Sequence, residues 1–170
     1  MFFDLVFIFV ILFLLFLLSM VWPPDSPWAP WWRTDKPTAE AICKLAGIGK
    51  KDIIYDLGCG DAEVLICAAK LGATGVGIEI DPLRYWVARL RILSSNLDKK
   101  INIKRKNFFD EDISKASVII VYLVPKTLEK LLPKFRKELK KGTKIVSFRY
   151  EMDLNLKKKD PGKKLYLYTI

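Results

Sequence analysis

Four residues combine types and spacing that suit the capture of a nucleoside: Asp56, Gly58, Gly60 and Glu79. Gly58 and Gly60 can adopt backbone angles closed to other residues and let the chain approach a ligand closely. Glu79 lies 23 positions beyond Asp56, where a carboxylate can accept hydrogen bonds from both hydroxyls of a ribose.

The elements that must position them are legible around the same stretch. Ile53 to Leu57 is an apolar run that predicts a strand buried on both faces. A small-residue helix is expected from about Asp61 to Leu71, and Thr74 to Ile80 reads as a second strand. Asp81-Pro82 then supplies an N-cap and a first helical residue for a helix to about Leu93, with Leu83, Val87 and Leu90 on its buried side. A short helix over Thr38 to Ala46 precedes the first strand, ended by Gly47. Further strands are predicted at Ile101 to Lys104, Ser117 to Leu123, Lys144 to Tyr150 and Leu165 to Thr169, the last as an edge strand after a polar, Lys-rich turn. Lys126 to Lys141 is helical in pattern, with Pro133 expected to kink or divide it. Strands alternating with helices imply a parallel sheet with right-handed crossovers.

Two details bear on which nucleoside. Asp56 stands two residues before Gly58, where a carboxylate would repel the pyrophosphate of a dinucleotide. S-adenosylmethionine carries a sulfonium and an ammonium instead, and both suit a carboxylate. The third glycine of the dinucleotide fingerprint is also missing: the string is Gly58-Cys59-Gly60-Asp61-Ala62. For Asp61 two readings stand, a cap for the helix it begins or a ligand contact.

The segments Asp56 to Ala62, Gly77-Ile78-Glu79-Ile80-Asp81 and Asn107-Phe108 resemble the class I S-adenosylmethionine-dependent methyltransferases. The resemblance runs from Thr34 to Ile170 and implies an α/β, three-layer Rossmann-like sheet, mostly parallel. It assigns cofactor contacts to Asp56, Gly58, Gly60, Glu79 and Asn107, the last beside the adenine. The full layout is similar to the small membrane-anchored lysine methyltransferases related to the ATP synthase c-subunit and adenine nucleotide translocase enzymes. Tyr85-Trp86-Val87-Ala88-Arg89, Val121 to Pro125 and Ser147-Phe148-Arg149-Tyr150 carry that likeness. It implies a shortened C-terminal part and a lysine of a protein in or near the membrane as acceptor; the alternatives are a lipid or small-molecule methyltransferase, or a non-catalytic nucleotide-binding module.

The acceptor pocket should lie at the carboxyl edge of the sheet, after the fourth strand. Tyr122 there is the candidate catalytic residue, orienting an amine through its hydroxyl or ring face, or else it packs in the core. Arg149 holds an acceptor, a carboxylate or a structural ion pair. The chain has no histidine, which excludes His-based triads and His metal sites. An amine acceptor needs no dedicated base, because a dry pocket lowers its pKa. The Asn/Asp-Pro-Pro-Tyr motif of many nucleobase methyltransferases is absent, which argues against a nucleic-acid acceptor.

Charge and hydropathy divide the chain. All 29 basic residues lie at or after Arg33, with 17 of the 19 acids, so that part carries 29 − 17 = +12. Such a surface suits anionic lipid, nucleic acid or an acidic partner. Leu5 to Trp22 is 18 residues without a charge, which predicts a transmembrane anchor over residues 1–22. Basic residues follow it and none precedes it, which places the catalytic domain in the cytoplasm. Residues 23–33 form a Pro/Trp-rich linker, lying along a membrane surface or packing on the domain. Cys43, Cys59 and Cys67 form no C-x-x-C pair and read as reduced thiols.

Overall fold

A computed structural model describes the backbone of residues 2–21 and 32–170, and the side chains of 4–16 and 32–170. Two units separate, residues 1–32 and 33–170.

In the first unit, α1 spans Phe2–Val21. Its described side chains, Asp4 to Phe16, are all exposed. Among the described residues no helix is long and apolar enough to cross a membrane. That finding overturns the expected single-pass membrane localisation. Most of the expected linker, residues 23–31, lies outside the described residues.

The second unit is built on a seven-stranded sheet. β1 (Ile53–Leu57), β2 (Thr74–Glu79), β3 (Ile101–Arg105), β4 (Val118–Val121) and β5 (Lys144–Phe148) are parallel, and β6 (Asn155–Asp160) and β7 (Leu165–Thr169) close the order β3-β2-β1-β4-β5-β7-β6. β7 runs antiparallel to both β5 and β6. Alternate residues of the central strands feed two cores. α2 (Lys36–Ala46), α3 (Glu63–Lys70) and α4 (Pro82–Ser94) cover one face with Ile42, Leu65 and Ile92 against Ile54, Ile103 and Ile120. α5 (Pro125–Glu138) covers the other with Leu128, Leu131 and Phe135 against Tyr55, Ile119 and Ile145. The result is a mixed sheet in a three-layer, Rossmann-like arrangement.

Local chemistry explains the boundaries. Asp35 caps α2, accepting from the Thr38 N–H at 3.0 Å, and Gly47 ends it in the left-handed region. Asp81 caps α4 through the Arg84 N–H at 2.9 Å. Gly75 and Gly77 let α3 settle closely on β2: a Cβ at Gly77 would lie 2.5 Å from Ile103 Cδ1, 2.7 Å from Cys59 Sγ and 2.8 Å from Leu65 Cδ1.

Three expectations are corrected. β7 is interior, and the edge strand on that side of the sheet is β6, within the Lys-rich stretch expected to be a turn. Nearly all of β6 is exposed, so no apolar alternation marks it, and its lysines protect the free edge. The sheet therefore keeps seven strands despite the expected shortening, and residues 149–170 contain no helix. Of the two readings of Pro133, division is excluded, since α5 continues through it as one helix. On α4 the buried residues are Ala88 and Ile92, while Leu83, Val87 and Leu90 are exposed, because the helix approaches the sheet over the small Ala88.

Candidate functional site

The parallel strands share one carboxyl edge, and the residues singled out in the sequence all fall on it. Asp56 is the penultimate residue of β1, opposite Gly77 of β2 and Ile120 of β4. Glu79 ends β2. Asn107 follows β3, Tyr122 follows β4 and Arg149 follows β5. Connections from β1 lead to β2 on one side of it, while β4 lies on the other. In sheets of this kind ligands bind at such a change of direction, here over the β1 end.

The turn after β1 is pinned to β2. The Gly58 and Cys59 N–H groups both donate to the Ile78 carbonyl, at 2.8 and 3.1 Å. Gly58 and Gly60 take φ of 81° and 54°, angles that side chains disfavour. Ala62 occupies the same region at φ 64° and is fully buried, so the position of the missing third glycine still demands a left-handed residue. Glu79 ties the turn from the other side: Oε2 accepts from the Gly60 N–H at 2.9 Å and Oε1 from the Asp81 N–H at 3.0 Å. Each oxygen keeps a second lone pair for a ligand hydroxyl. Burial raises the Glu79 pKa, and those two amide bonds act against the rise.

Asp56 is placed differently. Its carboxyl is buried, and its pKa is pushed up to about 7 by burial and then by the nearby Glu79 and Asp61 charges. A buried carboxylate between two other acids is unfavourable unless a cation joins it. Burial, with the Asp56 charge, also pushes the Cys59 thiol up, so it stays neutral there. A ligand bringing an ammonium or sulfonium to Asp56 and ribose hydroxyls to Glu79 fits these donors and acceptors. S-adenosylmethionine is such a ligand.

Asp61 does not cap α3, whose N-cap is Ala62; its carboxylate is engaged by two arginines. Its Oδ2 takes Arg33 Nε at 2.7 Å and Arg91 Nη1 at 2.6 Å. Arg91 also bonds the Asp61 carbonyl at 2.8 Å and pairs with Glu63. These arginines escaped the sequence reading because they stand about 30 positions from the turn, and only the fold brings them there.

Asn107 caps a 3₁₀ turn, Phe108–Asp110, with Oδ1 accepting from the Phe109 N–H at 3.0 Å. Tyr122 is half-buried, its ring 4.3 Å from that of Phe148, and its hydroxyl accepts from Arg149 Nη1 at 3.1 Å. Both residues directly follow strands that neighbour each other, so strand order alone would have revealed the pairing. The basic cluster after β3 is partly neutralised, since Lys104 and Lys106 both pair with Glu111.

Fold and site together define an S-adenosylmethionine-dependent methyltransferase. Residues 56–158 match the ANTKMT methyltransferase domain family, and the chain belongs to it. It is 36% identical over 135 residues to a protein-lysine N-methyltransferase of Saccharolobus islandicus, covering 78% of this chain and 82% of that relative. It is 26% identical over 101 residues to the ATP synthase c-subunit lysine N-methyltransferase of Homo sapiens, covering 59% of this chain but 43% of that one. A crystal structure of an RNA methyltransferase from Salinibacter ruber, in complex with S-adenosyl-L-homocysteine, superposes with a TM-score of 0.74 at 34% identity, covering 82% of this chain and 94% of that one.

Proposed function

We propose that this methyltransferase modifies the ε-amine of lysine in a protein, with Asp56, Gly58, Gly60, Glu79 and Asn107 holding the cofactor. The observation that carries the acceptor is the 36% identity to the Saccharolobus islandicus enzyme across most of its length. When bound, S-adenosylmethionine supplies a methyl group on a positively charged sulfur. Asp56 faces that end of the ligand and supplies the balancing charge. Glu79 takes the ribose hydroxyls while keeping the glycine turn in place. Asn107, its Oδ1 committed to the 3₁₀ turn, offers its amide N–H groups to the adenine edge. Tyr122 stands on the acceptor side, where its hydroxyl orients the amine for a straight approach. No dedicated base is needed once the amine has lost its proton to solvent.

A second reading has its own support. The Salinibacter ruber neighbour is an RNA methyltransferase, and the +12 charge from Arg33 onward suits a phosphate backbone. The two separate cleanly. Purified protein is incubated with labelled S-adenosylmethionine and extract from cells deleted for its gene, and the product is digested with protease or ribonuclease. The lysine reading expects label that protease releases and ribonuclease leaves, absent with Glu79→Ala. Label released by ribonuclease alone would replace it with the RNA reading.

A further inference from the structure

We propose that Arg149 is a positioning residue for the methyl acceptor: its guanidinium, held over the end of β4, fixes the Tyr122 phenol and keeps an incoming amine neutral. The inference rests on the lysine reading above.

The backbone gives the first argument. Arg149 sits at φ 76°, a conformation that L-residues other than glycine rarely adopt. Its side chain is exposed, so core packing does not require an arginine there. The conformation is nevertheless enforced from both sides. The Arg149 N–H donates to the Lys164 carbonyl at 2.7 Å, and Ser147 Oγ donates to the Tyr150 carbonyl at 2.6 Å. β5 and β7 are in register up to Phe148 and Leu165, directly before this corner. Strain imposed on an exposed residue beside a candidate site points to a functional demand on its side chain.

The side chain shows the demand. Arg149 Nη1 donates to Tyr122 Oη at 3.1 Å, and the Tyr122 ring is braced by Phe148 at 4.3 Å. With one lone pair engaged, the phenol oxygen keeps the other for an N–H of the amine. That bond aims the amine's own lone pair away from Tyr122. The guanidinium also acts through space, since a nearby cation disfavours the ammonium form of lysine. The groups around the guanidinium include Tyr122 and Tyr150. In the reaction the acceptor ammonium first gives a proton to solvent. Its nitrogen then bonds the methyl carbon while the carbon–sulfur bond breaks and the electron pair leaves on sulfur. The methylated ammonium can afterwards release a proton to water.

Arg149→Gly separates this role from a structural one, because glycine suits the backbone angle while removing the guanidinium. Initial rates are measured against pH at sub-saturating total protein from cells deleted for the gene, alongside melting temperature and S-adenosylmethionine affinity. Arg149→Gly should melt no lower than the wild type and bind cofactor within about twofold. Its rate should fall by about tenfold or more, and its acid limb should move up by roughly half a pH unit. Arg149→Lys should return the limb to its wild-type position with only partial recovery of rate, because the fork to Tyr122 is lost. A wild-type rate and limb in Arg149→Gly, or a lower melting temperature with an unchanged rate, would overturn the proposal alone. Transfer by the wild type to RNA and not to protein would remove the lysine reading and this proposal with it.

Discussion

Asp56 is the residue on which the charge of the site turns. Its folded pKa of about 7 lies above the ordinary carboxylate value of 3.8. A raised carboxyl pKa means the folded protein holds the proton more tightly, so its contribution to stability is greatest at low pH and is lost as pH rises from the ordinary value to the folded one. Asp56→Asn removes that penalty. Its stability relative to the wild type should rise by about 2 kcal/mol between pH 5 and pH 7, then level off. Urea unfolding across that range checks it, and parallel curves would show that Asp56 does not titrate there. Cofactor affinity has the opposite slope. Wild-type affinity for S-adenosylmethionine should improve several-fold from pH 6 to pH 7, as Asp56 ionises more readily beside a cation, and Asp56→Asn should bind at least tenfold more weakly without that slope. Calorimetric titration at several pH values reads both. At this scale the sequence was informative: Asp56, Gly58, Gly60 and Glu79 were legible because their chemistry depends on spacing within one βαβ unit. Arg33 and Arg91 were not, because their roles depend on distant segments meeting at Asp61.

The elements owe their placement to close approaches as much as to hydrophobic pattern. Gly77 allows Leu65, Ile103 and Cys59 to meet over β2, and the same contact seats the glycine turn. Gly77→Ala places a methyl among three buried side chains, and overpacking of this kind costs about 1–3 kcal/mol. Gly75→Ala meets Leu65 at 2.8 Å as its one close neighbour, and should cost less. Denaturant melts of the two variants test the order, and an equal or reversed order would contradict the packing argument. Periodicity located β1 to β5 and the helices between them, because each has a strongly apolar face. It failed at β6, where exposure removes the pattern. It also failed on α4, where an apolar stripe at helical spacing faces outward and Ala88 and Ile92 are buried instead.

At the scale of the molecule, residues 33–170 hold both cores, the complete sheet and every candidate site residue. A chain beginning at Arg33 should therefore fold and bind S-adenosylmethionine with an affinity within about threefold of the full chain. Beginning instead at Lys36 removes both the Arg33 pair to Asp61 and the Asp35 cap of α2. The lost cap costs about 1 kcal/mol, with the exposed end of the ion pair adding less. Thermal melts and binding titrations of the two truncations would show it, and equal melting temperatures would deny those contacts a structural role. Fold class was readable at this scale because strand and helix alternate along the chain. The membrane localisation was expected from the uncharged run, its flanking charges and the family likeness, and it does not survive a structure with no spanning helix among the described residues.

The most direct test of the lysine assignment is to find the methylated atom. Wild-type protein is incubated with S-adenosylmethionine and protein extract from cells deleted for its gene, and the labelled protein is hydrolysed and analysed for methylated amino acids. Label should be recovered as N-methylated lysine, abolished by Glu79→Ala and strongly reduced by Tyr122→Phe. Label recovered as another methylated amino acid, or absent from protein while RNA is labelled, would contradict that assignment.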